Sequence, residues 1–368
     1  MEKSNQESIL FSPIKVGRVT IPNRFVRSAT HDFMAEDDGS VTGRQVSLFR
    51  DLAEGEVGLI ITGHAFVSTA GKAGPRQTGV HEDRRVDGLA LLARAVHRFH
   101  SHIFLQIAHA GRQTKEKYCG CTPLAPSAVY EPTLEVMPKE MTGAEIHGVI
   151  DDFIQAGRRA QQAGFDGVQL HIAHGYLLSS FISPYTNRRE DEWGGSLEKR
   201  ARIVSLIVRG IKGITGNGYP VIIKLNSYDF LPQGLQVEES IAIARLLETD
   251  GIDGIEVSGG TSEAGRASMW QGLRREDEEG YFVEDASRFK KAIHVPVFGL
   301  GGNRTFKVME AMIKEGKVDL ISMSRPFIRD PFLVRKFRAG EVKKSECISC
   351  NKCLNPRGIR CAELGKLA

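Results

Sequence analysis

Residues 297–325 read VFGLGGNRTFKVMEAMIKEGKVDLISMSR, and the order of the parts decides the fold. A short apolar run at 297–299 leads into a glycine-rich loop, then a segment of helical period at 305–315, then a second apolar run at 320–323. Strand, loop, helix, strand is the unit that joins parallel neighbours, because a parallel pair needs a long crossover. Helices then cover the sheet, so its strands read as unbroken apolar runs.

Working outward, the same unit recurs. Apolar, β-branched runs stand at 24–29 (RFVRSA), 58–62 (GLIIT), 103–107 (IFLQI), 167–170 (GVQL), 221–225 (VIIKL) and 254–257 (GIEV), giving eight with the two above. Helical stretches fall at 196–214 and 237–249, and Thr142 with Glu145 forms a capping box before the apolar stripe Ile146, Val149, Ile150, Phe153 and Ile154. Gly164 closes that helix. Eight βα units predict an α/β fold of (β/α)₈ TIM-barrel type, with an open doubly wound sheet as the alternative. Val16-Gly17-Arg18 marks an N-terminal hairpin at the barrel bottom. The loops at 111–141, 172–195 and 258–284 exceed the usual few residues, and long loops after barrel strands form the active-site face. The expected division is a barrel over residues 1–340 and a Cys-containing extension, 341–368, packing on it.

Composition narrows the function classes. The net charge is only +4 and the bases are dispersed, which gives no nucleic-acid footprint. No stretch approaches a membrane span, and residues 1–10 lack a basic segment followed by a cleavage site, so a cytoplasmic location is expected. Four of the six cysteines fall at Cys347, Cys350, Cys353 and Cys361, a grouping that points to metal or thiol chemistry rather than disulfides.

Chemistry concentrates at strand ends. Gly301 and Gly302 let backbone N–H groups approach an anion, the helix after them offers its N-terminus, and Arg325 after the eighth strand adds a clamp, so a phosphate-bearing ligand is expected. His171, His174 and Tyr176 follow the fourth strand. Two imidazoles there could bind a metal, but no carboxylate has matching spacing, and they suit a carbonyl oxygen on which charge develops. Gln106 and Lys224 lie within apolar strands, where each needs a polar partner. The amide suits the pyrimidine edge of a flavin and the cation its N1 and O2, while an ion pair inside the barrel or a Schiff-base role stays open for Lys224.

Four motifs in order, PNRFVRSAT (22–30), QIAHAGR (106–112), HIAHGYLL (171–178) and NRREDEWGGSLE (187–198), resemble the Old Yellow Enzyme family, with the likeness running from Phe11 to Arg338. Within it the chain is similar to the branch of 2,4-dienoyl-CoA reductase and trimethylamine dehydrogenase. The resemblance implies bound FMN, with NADPH or NADH as reductant and a small unsaturated carbonyl compound as substrate. It places Ala29, Thr30 and His31 along the flavin, Gly63 and His64 behind it, Gln106 and Lys224 at its pyrimidine, and Gly301, Gly302, Ser324 and Arg325 on its phosphate. It makes His171 and His174 carbonyl ligands and Tyr176 the proton donor, hence ene-reduction. Dehydrogenation of amines or other small substrates is the alternative. Lys224 stands where many relatives carry Arg, and His31 where they often carry Thr or Cys. The four late cysteines resemble that branch's iron–sulfur ligands at tighter spacing, and a cluster, a zinc ion or plain thiols stay open. Homo-oligomers are common among barrels, and no residue here decides the matter.

Overall fold

The computed structural model describes residues 7–364; the first six residues, on which the reading of the N-terminus partly rests, and the last four of the extension lie outside the described residues. Eight parallel strands form the barrel: β1 Phe25–Arg27, β2 Leu59–Ile61, β3 His102–Ala108, β4 Gly167–Ile172, β5 Val221–Asn226, β6 Gly254–Ser258, β7 Val297–Gly299 and β8 Leu320–Met323. Each pairs with the next, and β8 returns to β1 with Ile321 opposite Phe25 and Met323 opposite Arg27. That pairing closes the sheet and removes the open alternative. Between and after the strands run α1 Gly43–Glu54, α2 Val86–His97, α3 Gly143–Gln162, α4 Leu197–Thr215, α5 Val237–Asp250, α6 Val283–Ala292, α7 Phe306–Lys314 and α8 Leu333–Ala339.

Local chemistry explains the element ends. Thr142 accepts from the Glu145 N–H and the Glu145 carboxylate accepts from the Thr142 N–H, so both partners of the box are present at the start of α3. Past the end of α3, Gly164 adopts φ +84°, a conformation that side chains disfavour.

Strand period two divides the interior into layers. Val26, Leu59, Ile61, Phe104, Ile222, Phe298 and Leu320 form an apolar lower layer, and the hairpin Ile14–Val16 with Val19–Ile21 seals it by adding Val16 and Ile21. Two residues further along the strands the inward positions turn polar: Ser28, Gln106, Lys224, Glu256 and Ser322. The barrel therefore has a greasy base and a polar upper layer opening on the C-terminal face. A second apolar shell packs between strands and helices.

Besides the three long loops expected, residues 62–85 form another. Its strand Ala65–Phe66 pairs with Ile107 and Ala108, and Phe66 also bridges Gly79, so the loop doubles back on itself. The extension touches several mouth loops: the Ile359 N–H donates to the Asp32 carbonyl at 2.8 Å, the Gly272 N–H to Ser349 at 2.9 Å, and the Gln271 amide to Cys350 at 3.0 Å. No helix among the described residues is long and apolar enough to cross a membrane.

Candidate active site

The chain leaves β4 through two successive left-handed residues, His174 at φ +64° and Gly175 at φ +80°. The reversal folds the segment over the strand end and gathers its rings. The His171 ring centroid lies 5.2 Å from that of His174 and 4.6 Å from that of Tyr176. His174 is held from two sides: its N–H donates to Asn226 Oδ1 at 3.3 Å, and its Nε2 lies 2.8 Å from Ser258 Oγ. Nδ1 of His171 is buried without a hydrogen-bond partner.

Burial sets the protonation of this group. It pushes His171 well below the usual imidazole value, with repulsion from His174 adding to it. Burial, reinforced by Lys224, brings His174 down to about 3. Both rings are neutral at pH 7, and the buried Tyr176 phenol, raised to about 12, stays protonated. The site thus offers N–H and O–H donors without carrying positive charge on its imidazoles.

Below them lies a continuous polar chain. Gln106 donates to Gln169 at 2.7 Å, and Gln169 donates to Glu256 at 2.9 Å. Glu256 lies 3.2 Å from Lys224 Nζ, which also donates to Ser28 Oγ at 2.9 Å. Burial alone would raise the Glu256 carboxyl, but Lys224 and the surrounding donors outweigh it and hold the group below its usual value. Of the two readings left open for Lys224, the internal ion pair is present, and Lys224 still faces a cavity. Gln106 is hydrogen-bonded to Gln169, and neither lines that cavity.

The cavity, about 390 Å³, sits over the polar layer. Ser28, Ala29 and Thr30 form one wall, Gly302, Ser324 and Arg325 another, and His174, Tyr176 and Lys224 face into it. Thr30 Oγ1 and Ser324 Oγ are 2.5 Å apart, tying the ends of β1 and β8 together. His31, Gly63, His64, His171 and Gly301 stand behind this lining. Gly63 allows a close approach: a Cβ there would come within 2.7 Å of the Thr30 carbonyl oxygen.

The expected anion cradle differs in one part. The α7 N-terminus is already taken, because the Arg304 and Thr305 N–H groups donate to the buried Glu279 carboxylate at 2.9 and 2.8 Å. A carboxylate in the chain has satisfied the helix end, so the available donors come from elsewhere. Arg325 donates to the Trp270 carbonyl at 2.8 Å and to Asn351 Oδ1 at 2.6 Å, which fixes its fork at the wall. Arg304 also lines the cavity, and its buried Nη2 has no hydrogen-bond partner.

Cys347, Cys350, Cys353 and Cys361 line a second, smaller cavity that shares Arg325, Ile328, Asn351 and Cys353 with the first. All are free thiols, and Arg329 Nη1 lies 3.7 Å from Cys361 Sγ. Among the described residues no three His, Cys, Asp or Glu side chains stand close enough to hold a single metal ion.

Sequence reasoning missed Glu256, Glu279 and Arg304. Glu256 alone carried a signal, as an acid within the apolar run GIEV. The others lie in loops, whose partners no periodicity announces.

A closed parallel barrel whose mouth joins a cation-lined cavity to neutral imidazoles and a phenol defines a barrel enzyme built around a cofactor. Residues 9–344 match the NADH:flavin oxidoreductase / NADH oxidase family, and the chain belongs to it, the family of Old Yellow Enzyme. It is 38% identical to an NADH oxidase of Thermoanaerobacter brockii over 93% of this chain and 52% of that protein. It is 32% identical to a 4,4'-dithiodibutanoate disulfide reductase of Rhodococcus erythropolis, over 96% of this chain and 94% of that one. Among solved structures, 2-naphthoyl-CoA reductase in complex with 2-naphthoyl-CoA superimposes with a TM-score of 0.88 at 31% identity, covering 94% of this chain and 54% of the other. The chain thus spans about half the length of two of these three relatives.

The family's flavin suits the residues present. The cavity has the volume of a cofactor site, and buried polar atoms that no protein group satisfies, Ser322 Oγ and Arg304 Nη2 among them, belong to residues on its lining.

Proposed function

We propose that the chain is an FMN-dependent ene-reductase that uses NADH or NADPH to reduce the activated C=C bond of small unsaturated carbonyl compounds. One observation carries the reading: neutral His174 and protonated Tyr176 face into the cavity, and neutral His171 packs directly behind both, its ring centroid 5.2 and 4.6 Å from theirs. FMN bound there supplies hydride chemistry, taking two electrons from the nicotinamide and giving them to carbon. Ala29 and Thr30 flank its ring, with His31, Gly63 and His64 behind. Lys224 and, through Gln169, Gln106 set the polarity at the pyrimidine. Gly302, Ser324 and Arg325 hold the phosphate, with Gly301 shaping the turn and Arg304 adding a second cation.

The imidazole N–H donors of His171 and His174 hold the substrate's carbonyl oxygen and draw charge from the double bond, and the Tyr176 O–H delivers a proton to Cα. Thiolates suit an iron–sulfur cluster and a zinc ion alike, and the four late cysteines, which line one small cavity, are the residues that would hold either. The same reading divides the chain into a barrel, residues 1–340, and an extension, residues 341–368, of which Ser349, Asn351, Cys353 and Leu354 line the cavity.

The test is an anaerobic absorbance spectrum taken before and after NADPH or NADH and then cyclohexenone. Flavin absorbance that bleaches with the nicotinamide and returns with the enone supports the reading, and a residual broad brown band supports the cluster. Turnover of amines with none of enones overturns it in favour of a dehydrogenase. His174→Ala should lower kcat/KM for the enone by about a hundredfold, the scale of a lost oxyanion donor, with FMN still bound.

A further inference from the structure

The phenol assigned above as proton donor has a second row of residues behind it. Gln77 is fully buried in the doubled-back loop after β2, and both ends of its amide are identified by their partners. Its Oε1 accepts from the Ala73 N–H at 2.7 Å, a group that can only donate. Its Nε2 must then be the end facing His64, where it donates to the carbonyl oxygen at 3.1 Å and meets ring Nδ1 at 2.7 Å. An amide N–H₂ cannot accept, so Nδ1 of His64 must offer its lone pair. Burial, with repulsion from His31 and His174, holds His64 well below the usual imidazole value, so the ring is neutral and its one proton sits on Nε2. Nε2 faces Tyr176 Oη at 3.5 Å, with ring centroids 5.2 Å apart.

We propose that Gln77 and His64 form a positioning relay behind Tyr176: Gln77 fixes the Nε2–H tautomer of His64, and that N–H donates to the Tyr176 oxygen, turning the phenol's own hydrogen toward the cavity. The Tyr176 O–H bond breaks as its proton passes to the carbanionic Cα left by hydride addition, and the charge left on oxygen meets the His64 N–H. Water from solvent then reprotonates the phenolate. The contact is at the long end of the hydrogen-bond range and tightens as charge builds on the oxygen. His64 and Gln77 are positioning residues, since neither touches substrate. Only the role of Tyr176 rests on the ene-reductase reading; the tautomer stands on the geometry.

The first measurement is the long-range ¹H–¹⁵N NMR spectrum of the histidine-labelled full chain, with His64→Phe identifying the signal. The Nε2–H pattern is expected, and Gln77→Glu, whose carboxylate accepts from Nδ1–H, should abolish it. The second is anaerobic stopped-flow reoxidation by cyclohexenone in H₂O and D₂O, at FMN stoichiometry checked by absorbance. In His64→Phe protonation should slow by about 10- to 100-fold with a larger solvent isotope effect, and His64→Gln, which keeps an N–H of similar reach, should recover most of the rate. An Nδ1–H tautomer in the native protein overturns the relay, as does an unchanged rate and isotope effect in His64→Phe. If the native protein reduces no enone, the ene-reductase reading falls and the tautomer alone decides the relay.

Discussion

Lys224 and Glu256 face each other across β5 and β6 within a barrel interior whose other inward side chains are apolar or uncharged, both nearly inaccessible to water. Such a pair is costly to desolvate, and breaking it by removing one member leaves the other charge buried alone. Glu256→Ala should therefore lower stability by about 3–5 kcal/mol, read as a shift in the urea midpoint at constant slope. A midpoint within experimental error of the native one would mean that the ammonium finds other partners. The sequence exposes one half of this pair. A lysine within VIIKL has no surface to reach, whereas the acid in GIEV reads equally well as an outward position of an alternating strand, and only the register of β5 on β6 sets it opposite the ammonium.

Elements carry their own tests. The capping box at the start of α3 satisfies two end groups of a 20-residue helix, and Thr142→Ala should cost about 1 kcal/mol in a denaturant melt, with no effect at the site. Gly63→Ala is different in kind. The added Cβ meets the Thr30 carbonyl oxygen and His31 Cα, which are backbone and cannot swing aside. It should displace the loop after β1 and weaken FMN retention on dialysis while the barrel keeps its far-ultraviolet circular dichroism. Strands and helices were legible because each has a period that burial imposes. The loop at 62–85 was not, since it is held by the Phe66–Gly79 bridge and by Gln77, contacts between residues a dozen apart that leave no repeat in the sequence. The α7 end misled for a related reason: an open helix N-terminus looks like an anion site until a distant carboxylate, here Glu279, is folded onto it.

At the scale of the whole molecule, the interior histidines set the acid limit. Burial lowers His31, His64, His171, His174 and His109, the last to about 4. As pH falls through about 6.5 the unfolded chain takes up protons that the folded chain refuses, so the stability these groups allow above 6.5 drains until each passes its folded value, about 3 for His174. His97 runs the other way: its hydrogen bond to Asp166 raises it, adding stability below 6.5 that is lost as pH rises through its folded value. With half-buried His81 also lowered, one raised group cannot offset six lowered ones, each unit of separation being worth about 1.4 kcal/mol, so Tm should fall steadily from pH 7 to pH 5. A flat profile would refute the neutral assignment of the cluster. The eight βα units were legible, but they fit an open doubly wound sheet as well, and only the pairing of β8 with β1 closes the barrel.

Every barrel strand precedes Arg325 in the chain, yet Ser349, Asn351, Cys353 and Leu354 form part of the cavity wall. During synthesis the barrel can close before one side of its own pocket exists. Whatever occupies the pocket and the tail that walls it are then thermodynamic partners: occupancy should shield the tail from proteases, and clipping the tail should loosen the occupant by the same free energy.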